Sequence, residues 1–271
     1  MKKALVTLLS LVLVLSLTAC GEKAPASVSD EASVEASVEA SVEEASVEAS
    51  VEASVEDEAT DETPAEDASV AVMSYADYVA AELDSEVAVE MYVQAHQSWW
   101  DNKITVYGAD KDGAYFVYNM TCSEEDAAKL VPGTKILVSG VKSEWSGEVE
   151  FAEGATFEFV EGDSFVAEAK DATDLLGSDD LINLQNQLVS FKDMTVTAVS
   201  YKNNEPGDDI YVNLSKDDVE YYFCLEYYLN GSDEEFYNLV GNLEVGSVVD
   251  VEGFLYWYEG ANPHLTAVTV K

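Results

Sequence analysis

Tryptophans and tyrosines are the residues of this chain best suited to holding a ligand. Trp99 and Trp100 are adjacent, Trp145 and Trp257 each close an alternating apolar stretch, and Tyr258 follows the last of these directly. An aromatic face stacks on apolar ring faces while a Tyr hydroxyl or Trp N–H keeps a polar handle. With Asn, Gln, Asp and Glu close by to bind hydroxyls, that chemistry suits an uncharged sugar. Strand parity adds further candidates, because alternate side chains point to opposite faces. If Val106 and Phe116 are core, Tyr107 and Tyr115 face out; the second half offers Tyr211 and Tyr222 beside Trp257 and Tyr258. The candidate ligand-binding set is therefore Trp99, Trp100, Tyr107, Tyr115, Trp145, Tyr211, Tyr222, Trp257 and Tyr258. The same rings have a structural use, packing one domain against another.

Catalytic constellations are sparse. His96 and His264 are the only histidines, in different halves of the chain, and no Gly-x-Ser-x-Gly elbow is present. No Cys-x-x-Cys or His-x-x-x-His spacing offers a metal site. Asp110-x-Asp112-Gly113 resembles part of a calcium loop, but Gly108 stands where the first ligand belongs and no closing Glu completes the frame. Turn chemistry accounts for it, and for Asp208-Asp209 beside Gly207. Carboxylates such as Asp101 or Glu144 could in principle serve glycoside hydrolysis in a pair, but so acidic a chain supplies pairs by chance. The expectation is no catalytic residue, no metal and no cofactor. Cys122 and Cys224 read as two separate buried thiols.

Charge narrows the partners. The chain carries 54 Asp and Glu against 13 basic residues, all Lys, for a net charge of −41. Nucleic-acid binders neutralise phosphates with Lys and Arg, so the composition predicts no nucleic-acid partner and no binding to anionic surfaces. A cation, a neutral polymer or a basic protein remains.

Residues 1–20 read as a targeting segment: Lys2 and Lys3, then an apolar run too short to span a bilayer comfortably. It ends Leu17-Thr18-Ala19-Cys20, which resembles the lipobox of bacterial lipoproteins. The resemblance implies cleavage before Cys20, lipidation of Cys20, and attachment at the extracellular face of the cell membrane. Residues 21–72 repeat Ala-Ser-Val-Glu with almost no basic residues. Val is the only sizeable apolar residue of the repeat, so nothing there can build a core. This segment reads as a disordered acidic spacer.

The folded part holds one pattern twice. Gly133, Ile136, Val138, Gly140 and Trp145 recur as Gly246, Val249, Val251, Gly253 and Trp257, each set following a short helix opened at Ser123 or Ser232. Three alternating strands precede each helix: Val87 to Val93, Ile104 to Gly108 and Ala114 to Met120, then segments around Met194, Val196 and Ala198, Ile210 to Leu214 and Tyr221 to Leu225. Ser74 opens a further helix reaching Leu83, and Ser178 one reaching Leu188. Five strands with a helix between the third and fourth is the order of an OB-fold barrel.

The expected fold is mainly β: two tandem OB-fold-like five-stranded barrels, each with a helix between strands 3 and 4, after the spacer. The boundaries are residues 73–163 for the first barrel, 164–187 for a helical connector and 188–271 for the second barrel. With the lipobox and spacer, this organisation resembles surface lipoproteins of clostridia-like bacteria. The expected function is that of a lipid-anchored binding protein presenting aromatic patches, to glycans in the first instance. The alternative is a non-catalytic lipoprotein of envelope assembly or protein interaction.

Overall fold

The computed structural model describes residues 70–271. The expected signal segment, Cys20 and all but the end of the acidic spacer lie outside the described residues.

In the first half the elements are β1 (Val72–Met73), α1 (Tyr75–Ala80), β2 (Glu86–His96), β3 (Lys103–Ala109), β4 (Ala114–Thr121), α2 (Glu124–Ala127), β5 (Lys135–Trp145), β6 (Glu148–Phe151) and β7 (Thr156–Phe159). Strands close in the order β2-β3-β4-β6-β5 and back to β2. Every contact in that ring is antiparallel except β4 to β6, which meet in parallel at Val117 and Phe151. The second half comprises β8 (Lys170–Asp171), β9 (Leu188–Tyr201), β10 (Ile210–Lys216), β11 (Val219–Leu225), α3 (Tyr227–Asn230), α4 (Glu234–Gly241), β12 (Val248–Phe254) and β13 (His264–Val270). It closes as β9-β10-β11-β13-β12 and back to β9, with β11 and β13 parallel at Cys224 and His264. Both rings have OB-fold connectivity, with the helix between the third and fourth barrel strands.

The repeated glycines have separate reasons. Gly133 and Gly246 turn into β5 and β12 with φ of +89° and +92°, a region that favours Gly. Gly140 and Gly253 sit where another chain segment passes: a Cβ would lie 2.8 Å from Ala155 Cβ at the first and 2.5 Å from the His264 carbonyl oxygen at the second. Each barrel fills with the inward residues of its strands, including Met91, Val106 and Val138 in the first and Met194, Val212 and Val251 in the second.

Several local expectations shift. Ser74 and Ser123 cap α1 and α2 through the N–H of Asp77 and Asp126, but α1 stops at Ala80 and α2 has only four residues. Asp233, not Ser232, caps α4. The segment after Ser178 makes 3-10 turns over Asp179–Leu184, and Leu188 already opposes Phe254 in the sheet. Partner strands there outweigh local helix propensity. A register shift between β9 and β10 brings Val199 rather than Ala198 against the core. Cys122 and Cys224 are both free and buried.

Both barrels belong to one compact unit. Where they meet, Tyr107, Phe116 and Phe254 form a third apolar cluster, with Ala95, Leu188, Leu229 and Tyr256 packed around it. This corrects the expected exposure of two candidate ligand-binding tyrosines. Tyr107 does face out of its own barrel, but the second barrel covers it. Tyr115 faces the other way. Val117 is core, so Tyr115 is inside with it, edge-on to Tyr75 and Tyr78, and Phe116 points out. Taking Phe116 as core put that strand's parity one residue out of step.

Candidate functional site

Residues 97–102 join β2 to β3. Trp100 and Lys103 exchange both backbone hydrogen bonds, at 3.0 and 2.9 Å, across Asp101 and Asn102. Both central residues have positive φ, 47° and 59°, the geometry of a two-residue hairpin turn suited to Asp and Asn. The turn leaves Trp100 at its shoulder, 72% exposed. Trp99 is the anchor beside it. Its ring packs on the first core and its Nε1–H donates to the Cys122 carbonyl at 2.9 Å.

These two tryptophans line a groove of about 410 Å³, together with Gln97 and Thr105, Tyr118 and Asn119 from β4, and Tyr228 from α3 of the second barrel. Tyr118 and Tyr228 are exposed. Two hydrogen bonds fix the wall that Tyr228 makes: Ser98 N–H donates to the Tyr228 carbonyl at 2.7 Å and Ser98 Oγ to the same oxygen at 3.2 Å. Glu226 caps α3 through the Leu229 N–H, placing Tyr228 in its first turn. Burial, with the nearby Asp209 carboxylate adding to it, pushes the Glu226 carboxyl up to about 7. Lys103, the one cation lining the groove, is paired with Glu153. What remains is ring faces, amides and hydroxyls.

Of the sequence candidates, Trp99 and Trp100 come together here. Trp145 does not line this groove. It sits at the β5–β6 turn, 55% exposed, with its ring 5.2 Å from that of Tyr258. Glu259 N–H donates to Ser146 O at 2.8 Å and ties the loop of Tyr258 to that turn. Trp257 is half-buried against the second core and beside Gly147, where a Cβ would lie 2.8 Å from its ring. Tyr211 and Tyr222 form a separate exposed face on β10 and β11, on either side of Asn213, which donates to Glu220. Tyr118 and Tyr228 escaped sequence reasoning. Correct parity for β4 places Tyr118 beside Phe116 on the outer face; no local signal marks Tyr228, because the groove reaches it only through barrel docking.

The acidic clusters have internal explanations. Asp110 Oδ1 accepts the N–H groups of Asp112 and Gly113, and its Oδ2 the Tyr115 hydroxyl. The Lys202 ammonium lies between Asp208 and Asp209. Among the described residues no three or more His, Cys, Asp or Glu are gathered to hold a metal, and no helix is long and apolar enough to cross a membrane.

No family model matches the sequence, and no curated protein matches it. Solved structures do. The p204 HINb domain aligns at 13% identity over 67% of this chain and 95% of its own, with a TM-score of 0.31. A murine DNA binding protein bound with ds DNA aligns at 11% identity over 68% and 96%, with a TM-score of 0.36. The Ifi202 HINa domain in complex with 20bp dsDNA aligns at 13% identity over 69% and 98%, with a TM-score of 0.34. The two DNA-bound structures correct the exclusion of nucleic acid drawn from net charge. That charge counts the whole chain, whereas a nucleic acid meets one face, so composition alone does not settle the partner.

Proposed function

We propose that this chain is a non-catalytic, lipid-anchored binding protein of the extracellular membrane face, and that its groove takes an uncharged glycan. One observation carries the ligand class. Trp100, Tyr118 and Tyr228 present exposed rings around a groove whose polar lining is amide and hydroxyl and whose single cation is already paired. Rings of this kind stack on sugar faces, and Gln97, Thr105 and Asn119 can exchange hydrogen bonds with sugar hydroxyls. The anchoring part of the reading is supported by the resemblance of Leu17-Thr18-Ala19-Cys20 to a lipobox.

The test is intrinsic tryptophan fluorescence of the full chain, with acrylamide quenching, titrated with soluble cell-wall and plant oligosaccharides. A glycan that relieves quenching, and does so no longer in Trp100→Ala, supports the reading. Indifference to every sugar overturns it. A response to single-stranded oligonucleotides instead moves the groove to nucleic acid, and a response only to an envelope protein moves it to assembly. Anchoring is read separately, as loss of the protein from the membrane fraction in Cys20→Ser.

A further inference from the structure

Three buried side-chain atoms among the described residues have no hydrogen-bond partner: Tyr78 Oη, Glu148 Oε1 and Asn186 Oδ1. All three belong to one neighbourhood at the seam between the barrels. Glu148 opens β6 with no exposed surface at all. Its Oε2 accepts the Trp257 N–H at 2.8 Å, from the second barrel. The Asn186 side chain lies against the same carboxyl. Asn186 Nδ2 donates to the Val149 carbonyl at 3.1 Å, back across the seam, and this fixes which end of the amide is the carbonyl. Glu148 Oε1 and Asn186 Oδ1 are thus two buried unpaired acceptors, and the Tyr78 hydroxyl is the one unpartnered donor of the neighbourhood. An ionised carboxylate so placed is costly, and so is each unpaired acceptor.

The charged surroundings offer no compensation. Tyr78 of α1, Glu150 on β6 and Tyr256 of the β12–β13 loop are the titratable groups facing Glu148. Lys142, a buried cation of this barrel, donates its ammonium hydrogens to the carbonyls of Tyr78, Val79 and Ala81. The Tyr78 hydroxyl has one hydrogen and can serve only one of the two acceptors; a proton on Glu148 removes the buried charge outright and turns an unpaired acceptor into a donor.

We propose that Glu148 is a proton-operated latch, neutral when the barrels are docked, whose ionisation loosens the seam and with it the groove wall that Tyr228 contributes. The consequence for ligand binding rests on the groove reading above; the latch itself does not. Its direction follows from linkage. Burial pushes the Glu148 carboxyl up to about 8, against an ordinary value of 4.5 once the seam opens. The docked form therefore binds the extra proton. Docking is strongest in acid and weakens as pH rises from the ordinary value toward the docked one. Glu150, raised to about 7 by burial, adds a slope of the same sign.

The test reads docking without any ligand. Three backbone N–H groups cross the seam: Trp257 to Glu148, Glu259 to Ser146 and Ser98 to Tyr228. Their hydrogen-exchange protection factors, measured on the full chain, should fall roughly a hundredfold between pH 5 and pH 8. In Glu148→Gln, where a permanent amide replaces the protonated acid, they should start high and fall several-fold less, by the part that Glu150 contributes. Equal pH dependence in both proteins overturns the latch. Carbon-13 titration of the Glu148 carboxyl in the unmodified chain decides the matter if the variant fails to fold: a midpoint well above the ordinary range supports the latch, and one near 4.3 sinks it.

Discussion

The hydroxyl of Tyr107 lies 2.6 Å from Nδ1 of His264, a buried hydrogen bond between residues 157 positions apart in the sequence. Tyr107 comes from the outer face of the first barrel and His264 from the first residue of β13. Around the bond, Phe254 stacks on Tyr107 at 4.6 Å and Tyr256 on His264 at 4.4 Å. In OB folds the outer face of the second and third strands commonly takes the ligand. Here much of that face on the first barrel is occupied by the second, and the groove survives beyond its edge, where the β2–β3 turn meets α3.

A seam of this kind makes the two barrels unfold together. The full chain should show one cooperative calorimetric transition for its folded part. Phe254→Ala removes a ring that is 4% exposed and should cost about 3 to 5 kcal/mol. The check is differential scanning calorimetry: a large loss, with the single transition broadening or splitting, supports coupling, and an unchanged profile contradicts it.

Stability should peak on the acid side of neutrality. Burial pushes His264 down to about 3, so below its unfolded value the folded chain binds fewer protons than the unfolded one. Stability is therefore lost as pH falls from about 6.5 toward 3, by up to roughly 1.4 kcal/mol per unit from this group. Glu148 and Glu226 are raised and act oppositely, losing stability as pH rises from the ordinary carboxylate value through about 8 and about 7. Above about pH 4.5 the falling carboxylate contributions outweigh the rising one of His264, so the melting temperature should pass through a maximum at about pH 4 to 4.5. The double change Tyr107→Phe with His264→Phe removes both ends of the hydrogen bond and the titrating ring. It should flatten the acid limb while leaving the alkaline limb in place.

The strands were legible because inward residues alternate with period two, and the tandem relation because Gly133, Gly140, Gly246 and Gly253 mark equivalent turns and close approaches. What the sequence concealed is what the barrels do to one another. Nothing in the sequence marks Glu148 and Glu150 apart from the many other acids, yet both are buried. Tyr107 obeys its strand's parity and is buried all the same. Tyr228 sits in a short helix with no pattern of its own and becomes a groove wall through Ser98, 130 positions earlier. Local period and propensity report the contacts of one element, and each of these facts depends on the docking of two.

The paired glycines separate two kinds of constraint. At Gly246 nothing stands within 4 Å of an added Cβ, so Gly246→Ala meets only the positive φ and should cost about 1 kcal/mol. At Gly253 the Cβ would strike the His264 backbone, which cannot swing aside, and Gly253→Ala should cost about 1 to 3 kcal/mol or more. Urea denaturation of the two variants ranks them, and Gly246→Ala as the worse of the two would refute the steric account of β12 and β13.

Trp99 and Trp100 should part company under substitution. Trp99 is packed on the first core and its indole N–H satisfies the Cys122 carbonyl, so Trp99→Ala leaves a gap and an unpaired acceptor. It should lower stability by about 2 to 3 kcal/mol. Trp100 stands on a hairpin turn with most of its surface in solvent, and Trp100→Ala should change stability by no more than about 0.5 kcal/mol. If the groove binds through stacked rings, that same silent substitution should weaken a glycan found in the fluorescence titration by roughly tenfold or more. Tyr228→Ala should do likewise from the opposite wall, since its backbone carbonyl, not its ring, holds Ser98. Calorimetric titration of the three variants alongside their melting curves distinguishes the roles. A Trp100→Ala protein that melts early but binds normally would show that the exposed indole supports the turn and contributes nothing to a ligand.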